Sequence, residues 1–442
     1  MERTLIGELG AHKGETVTIK GWVDVRRDQG KLVFFDFRDR SGVVQGVVLP
    51  GSPAMEAAKE IRNEFVVEVE GKVNTRPEKN AQAGKVNGDI ELEVLGITVL
   101  SPADSLPFEV DAELNLDTYL NNLPLTLRTE KGRSIFRVQA AIIEGYRKAL
   151  RTLGFTEFQA PALVGGDAEG GAGTFTVDYY YDQKAFLATS PQLYKQIMVG
   201  VLERVFTTPK VFRGEKSATT RHLSEYSSLD FEMGFIKDHT DVMTTLEAAV
   251  RGMVAQVTET HPQVYALFGT EAPLIPEKIP VVKLREAQQI LGVSTDEPDL
   301  EPEHERALCE WAKKEHGSDF VFVTHYPVSK RPFYTYEDEQ DPGFTKSFDL
   351  LFRGIEITSG GQRVHNYEVL VEKMRAKGLD PEKFAFYLQA FKYGMPPHGG
   401  IGMGLERFTA RLLNLPNVKE ATLFPRDLNR IDVLLSTDET PN

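Results

Sequence analysis

Cysteine is almost absent: Cys309 is the single one in 442 residues. That excludes an internal disulfide and any multi-cysteine zinc or iron–sulfur site, and it fits a reducing compartment such as the cytoplasm. Long apolar runs are missing as well. None approaches the ~18–20 residues a membrane-spanning helix needs, so no transmembrane segment is expected. Met1-Glu2-Arg3-Thr4 opens onto polar sequence without the apolar stretch of a secretory leader. Basic charge is in deficit, 51 Lys and Arg against 65 Asp and Glu, for a net −14. A broadly basic nucleic-acid binder would not have this balance, although net charge says nothing of local patches. The first hundred residues are nearly neutral, so the acidic excess lies beyond them. Several site signatures are also lacking: a GxxxxGK[ST] phosphate loop, a strand-following GxGxxG with a distal acid, HExxH and GxSxG. The nine histidines are scattered without metal-ligand spacing.

What is present suffices for two or three domains with ordinary cores, since 41% of residues are hydrophobic and 26% charged. Residues 1–103 read as five short strands, at 16–23, 32–37, 43–48, 65–71 and 90–94. Each is rich in β-branched or aromatic residues and bounded by Gly, Asn, Asp or Pro, with one helix at 54–62. Five strands with a helix between the third and fourth predict a small closed β-barrel of the OB type. Residues 104–130 read as a hinge or linker. Residues 131–442 open with an amphipathic helix over 134–153, on which Ile135, Val138, Ile142, Tyr146 and Leu150 recur at helical spacing. Strands follow at 205–213 and 227–236, and helices and strands then mix without βαβ regularity. The fold class is α+β, with a mainly antiparallel sheet flanked by helices.

Three clusters carry chemistry. The first is Phe212-Arg213-Gly214-Glu215, then Arg221-His222-Leu223-Ser224-Glu225-Tyr226 and Leu229-Asp230-Phe231-Glu232. Strand alternation puts Asp230 and Glu232 on one face, which is costly in a core unless the face lines a polar cavity. In the second, an apolar strand carries Glu356 and Ser359 before Gly360-Gly361-Gln362-Arg363. Glu356 and Ser359 offer hard oxygens suited to Mg²⁺ beside a phosphate. The third is Gly400-Ile401-Gly402-Met403-Gly404-Leu405-Glu406-Arg407, glycines before a helix with an arginine in its first turn. An anionic ligand would offset that arginine's unfavourable place in the helix dipole. Singly, each cluster also reads as a solvated sheet face or a surface turn.

Together these stretches resemble the three signature motifs of class II aminoacyl-tRNA synthetases, along nearly the whole chain. They are most similar to aspartyl-tRNA synthetases of the archaeal and eukaryotic type, which lack the bacterial insertion domain. Ser190-Pro191-Gln192-Leu193-Tyr194-Lys195-Gln196 looks like that family's amino-acid-binding stretch and Glu169-Gly170-Gly171-Ala172 like its mobile loop. The resemblance implies an ATP-dependent aspartate–tRNA ligase, forming AMP and pyrophosphate. Aspartate-binding residues would be Glu169, Gln192, Lys195, Arg213, Asp230, Tyr334, Ser359 and Arg363. ATP would meet Arg213, Gly214, Glu215, Arg221, His222, Leu223, Tyr226, Glu356, Gly404, Leu405, Glu406 and Arg407, with Arg213, Glu356 and Arg407 catalytic. Mg²⁺ would sit on Glu356 and Ser359. A side-chain carboxylate wants two convergent cations, which Lys195 and Arg363 can supply. An amide substrate has no use for that lysine, which disfavours an asparaginyl enzyme.

In the barrel, Phe34 and Gln45 match residues with which the family reads an anticodon base, and Arg26, Arg27, Lys31, Arg38 and Arg40 are candidate phosphate contacts. The implied partners are tRNA-Asp, ATP, L-aspartate and a second copy of the chain as a homodimer. A non-discriminating enzyme that also charges tRNA-Asn is the alternative, followed by a non-catalytic RNA-binding paralogue. Lys216 and Asp24 depart from the family pattern at places that bear on tRNA recognition.

Overall fold

The computed structural model describes residues 2–82, 86–108, 112–166, 173–214 and 219–431. By internal packing the chain divides into two units, Met1–Glu113 and Leu114–Asn442.

The first unit is a closed five-stranded barrel. Its strands are β1 (Thr16–Gln29), β2 (Leu32–Arg38), β3 (Val43–Val48), β4 (Val66–Thr75) and β5 (Ile90–Ser101), ordered β1-β2-β3-β5-β4 around the wall. Helix α1 (Met55–Glu60) joins β3 to β4. Alternation sorts the side chains. Val33, Phe35 and Phe37 of β2 point into the core, where the two phenylalanine rings stack at 5.3 Å. Gly46 is glycine for want of space: a Cβ there would lie 2.4 Å from the Phe37 ring.

Phe34 and Gln45 fall in the other set, half-buried on the outer wall, with Gln45 opposite Asp36 in the β2–β3 pairing. One barrel expectation is corrected. Arg38 is buried, bonded to Asp24 at 2.6 Å and to Glu64, with its guanidinium over the Trp22 ring. Its charge is spent inside the fold rather than offered to phosphate. Arg27 pairs with Asp36 through two 2.8 Å bonds, while Lys31 and Arg40 are exposed.

The second unit begins with α2 (Leu116–Asn121) and α3 (Leu123–Thr126), so part of the stretch read as a hinge is helical and packs with this unit. Helix α4 (Glu130–Thr152) starts four residues before the predicted Ser134, because the Thr129 hydroxyl caps it by accepting from Gly132 N–H at 3.1 Å. Next come β6 (Thr156–Glu157), a small sheet of β7 (Leu163–Val164), β8 (Thr176–Asp178) and β9 (Lys184–Leu187), and helix α5 (Gln192–Leu202). The predicted strand 205–213 is two, β10 (Arg204–Thr207) and β11 (Lys210–Phe212). Pro209, which has no N–H to give a ladder, lies at the break. Strand β12 (Glu225–Gly234) pairs with both.

The chain continues through α6 (His239–Thr260), α7 (Val264–Leu267), β13 (Val281–Lys283), α8 (Leu284–Leu291), α9 (Pro302–His316), β14 (Phe320–Thr324), β15 (Ser347–Phe352) and β16 (Ile355–Arg363). It closes with α10 (Tyr367–Ala376), α11 (Ala385–Lys392), β17 (His398–Gly404) and α12 (Leu405–Leu412). The main sheet runs β13-β14-β15-β16-β17-β12-β10-β6 with β11 beside β12. Its centre is antiparallel; only the outer pairs β13–β14 and β10–β6 are parallel. Helices α4, α6 and α12 contribute to the large core against this sheet. Helix burial thereby covers one face of the sheet and leaves the polar residues of β12, β16 and β17 for the other.

Candidate active site

The other face holds a cavity of about 430 Å³ floored by β12, β16 and β17. Seventeen positions of sequence separate Arg213 from Asp230, and 133 separate Asp230 from Arg363, yet all three line it. Gln192, Lys195, Tyr334, Ser359 and Glu356 join them, as do Arg221, His222, Leu223, Tyr226, Gly404, Glu406 and Arg407. Glu169 and Glu215, together with Lys216, lie outside the described residues.

One end is a dense charge cluster. Lys195, one turn into α5 and 1% exposed, bonds Asp230 at 2.7 Å and the Ile401 carbonyl at 2.6 Å. Its ammonium is 3.4 Å from Glu232. The opposite oxygen of Glu232 accepts from Arg363 Nε at 3.0 Å. Two cations therefore meet on one buried carboxylate. Burial alone would push Glu232 up; Arg363 and Lys195 outweigh it and hold the carboxyl below its ordinary range. The Arg363 guanidinium also lies over the Tyr334 ring at 5.3 Å and donates to the Gly400 carbonyl at 2.9 Å. Gln192, the first residue of α5, is buried, and its amide nitrogen has no hydrogen-bond partner among the described residues. An unmatched buried donor of this kind costs about 1–3 kcal/mol unless a ligand satisfies it.

The glycine run explains how so much charge fits. β17 lies between β12 and β16, and a Cβ on Gly400 would sit 2.2 Å from a Glu232 oxygen. At least one glycine before α12 therefore makes room for a neighbouring carboxylate.

At the other end Arg213 lies over the Tyr226 ring at 5.8 Å. Gly214 is off the cavity wall, backed against Gly173, whose carbonyl accepts its N–H at 2.7 Å. Arg407 donates to the Glu356 carbonyl at 2.9 Å and lies 3.4 Å from that of Arg221, tying α12 to β16 and to the loop before β12. Leu405 is in the core and does not line the cavity. Both Glu406 oxygens accept from Ser227 N–H, at 2.9 and 3.0 Å, so this carboxylate ties α12 to β12 at the cavity wall. The placement of Leu405 corrects the expectation that its side chain meets the nucleotide.

The Ser359 hydroxyl donates to Glu356 at 3.0 Å. Among the described residues no group of three His, Cys, Asp or Glu side chains is arranged to hold a metal. Two hard oxygens still fit Mg²⁺, which usually takes its other ligands from phosphate and water.

Sequence reasoning passed over three supports. Glu232 was legible from its i, i+2 spacing to Asp230, but not its partners. Buried Arg331 bonds Asp349 at 2.8 Å, and burial pushes that carboxyl up; an aspartate inside apolar β15 was the available hint. Behind Arg363, His398 donates from Nδ1 to the Pro396 carbonyl at 2.9 Å, and its Nε2 accepts from Gln196 at 2.9 Å. Tyr387 in turn donates to Gln196 at 3.1 Å.

Burial lowers His398 to about 4, and lowers His239, at the start of α6, to about 4 as well. Both imidazoles are neutral in the fold at neutral pH. Between the unfolded value of ~6.5 and about 4, the unfolded chain takes up protons that the folded chain refuses, so stability falls as pH falls. The unfolding midpoint is expected to be lower at pH 5 than at pH 7, with His398→Gln reducing the difference. A midpoint flat across that window would mean that these rings are charged in the fold.

Comparison with known proteins gives the family. The family of tRNA synthetases class II (D, K and N) matches residues 115–428, and an OB-fold nucleic acid binding domain matches residues 17–100. The chain belongs to the class II tRNA synthetases of the D, K and N group. An aspartate–tRNA(Asp/Asn) ligase of Thermus thermophilus is 48% identical over 97% of this chain and 99% of its own. An aspartate–tRNA(Asp) ligase of Thermococcus kodakarensis is 38% identical over 95% of this chain and 96% of its own. Among solved structures, the Pyrococcus horikoshii asparaginyl-tRNA synthetase complexed with asparaginyl-adenylate superposes with a TM-score of 0.88 at 32% identity, covering 98% of this chain and 99% of that one. The chain carries a closed five-stranded barrel and a mainly antiparallel sheet, and no helix among its described residues is long and apolar enough to cross a membrane.

Proposed function

We propose that this synthetase is an aspartate–tRNA ligase, which activates L-aspartate with ATP and transfers it to the 3′ end of tRNA-Asp. The observation that carries the reading is the meeting of Lys195 and Arg363 on one carboxylate at the cavity floor. Two cations 3–4 Å from a shared carboxylate are a charge pattern matched to an acidic side group, and neither can be replaced by an amide partner without leaving buried charge unpaired. Asp230, with Glu169 from the loop, receives the substrate α-ammonium. Gln192 gives its unmatched N–H to the same substrate, and Tyr334 walls the pocket.

Arg213 bridges the aspartate carboxylate and the α-phosphate. The α-carboxylate oxygen attacks the α-phosphorus, pyrophosphate leaves, and the Arg213 guanidinium stabilises charge developing on the phosphorus oxygens. Tyr226 stacks on the adenine, Arg407 covers the other face, and Glu215, Arg221, His222 and Leu223 complete the nucleotide contacts. Glu356 and Ser359 would hold Mg²⁺, which neutralises phosphate charge when bound. No side chain acts as a nucleophile; orientation and electrostatics supply the acceleration. The terminal ribose hydroxyl of tRNA then takes the aspartyl group. On the barrel, the half-buried outward placement of Phe34 and Gln45 suits stacking on, and hydrogen bonding to, an unpaired base. A homodimer is the assembly expected of the family, and light scattering measures it.

A relaxed enzyme that also charges tRNA-Asn is the second reading. It is favoured by relatives from Thermus thermophilus, Deinococcus radiodurans and Aeropyrum pernix, at 48%, 43% and 44% identity, that are aspartate–tRNA(Asp/Asn) ligases. Aspartate is expected to drive ATP–pyrophosphate exchange where asparagine and glutamate do not; exchange with asparagine alone overturns the proposal. Charging assays on each purified tRNA then separate the strict enzyme from the relaxed one.

A further inference from the structure

We propose that Glu305 is a positioning residue for the nucleotide end of this site, holding the Arg221 guanidinium where it receives the polyphosphate of ATP. The proposal rests on the reading of the cavity as an ATP site. Glu305 comes from α9, 84 residues beyond Arg221, and no motif includes it. Arg221 Nη1 bonds Glu305 Oε2 at 2.7 Å, with the carboxylate side chain 12% exposed. Arg221 lines the cavity and Glu305 does not, so the carboxylate supports the arginine from behind.

The surroundings explain why a support is needed. The Arg407 guanidinium lies within 3.4 Å of the Arg221 carbonyl. Arg411, one turn further along α12, is half-buried, and burial and then the charge of Arg221 both disfavour its protonated form. Three arginines in a partly desolvated corner repel one another, and without a counter-charge the flexible Arg221 side chain would swing toward water. Glu305 supplies that charge. Burial, joined by the nearby Glu356 charge, raises its carboxyl, while Arg221 and more weakly Arg407 oppose the rise. The bond engages Nη1 of a residue that lines the cavity, which leaves the other N–H groups of the guanidinium fork for an anion. Holding a flexible side chain in its bound orientation before the ligand arrives lowers the ordering cost of binding.

The test uses the full-length protein. Glu305→Gln is expected to raise the KM for ATP about five- to tenfold in pyrophosphate exchange, the scale of a weakened charge-assisted bond, and to leave the KM for aspartate nearly unchanged. Calorimetry should show the loss with ATP and not with adenosine, which has no phosphate. Glu305→Asp, which keeps the charge, should retain more ATP affinity than Glu305→Gln. In an Arg221→Ala background Glu305→Gln should have little further effect. Equal losses for ATP and adenosine, or a lowered unfolding midpoint with unchanged KM, would make Glu305 a scaffold residue and overturn the proposal. A wild-type protein without aspartate-dependent exchange would instead sink the functional reading, while its ATP and adenosine affinities would still test Glu305.

Discussion

Lys195→Met is expected to lose aspartate activation by about three orders of magnitude and to unfold more readily by about 3–5 kcal/mol. Methionine matches the length of lysine, so packing is nearly kept and the charge alone is removed. Asp230 and Glu232, 2% and 0% exposed, would then face each other across the space the ammonium held. Burial would raise Glu232 once one of its two cations is gone, leaving only Arg363 to keep it ionised. The carboxylate side chain of a substrate would meet one cation and a surplus of acid. The measurement is pyrophosphate exchange at saturating ATP beside chemical unfolding of the same preparation. Undiminished exchange would remove the clamp from the mechanism.

Arg213→Ala is expected to lower kcat for exchange by at least about 10²–10³-fold, the usual effect of deleting one preorganised donor to a developing charge. Stability should change by less than about 1 kcal/mol, because Arg213 is half-buried on the cavity wall rather than locked in the core. Arg213→Lys should rescue little, since an ammonium cannot span carboxylate and phosphate as a planar fork does. The two variants thus separate: one damages recognition and fold together, the other the chemical step. Exchange at the wild-type rate in Arg213→Ala would refute the assignment.

Where strand periodicity governs, the sequence was readable. Strand propensity located the five barrel strands, and alternation placed Asp230 with Glu232 on a common face. A glutamate, an aspartate and an arginine on apolar strands signalled a polar cavity, because such charges are tolerated in a sheet only around one. Caps and breaks were less legible: Thr129 started α4 early, and the predicted strand 205–213 breaks at Pro209.

Pairing between distant charges was not readable at all. Arg38 looked like a phosphate contact and is bound to Asp24 and Glu64. Glu406 was expected beside the nucleotide, and its bond from the Ser227 N–H was not foreseen. Nothing in the sequence singled out Glu305, which pairs with Arg221 from 84 residues away.

The sequence by itself determined the barrel, the antiparallel sheet and the residue types that gather at the site, since period and local propensity are properties of neighbours along the chain. Only the tertiary structure decided which carboxylate neutralises which cation. That choice depends on strand order and register, which set Gly400 against Glu232 and bring α9 up to Arg221, and no local pattern encodes contacts between segments a hundred residues apart.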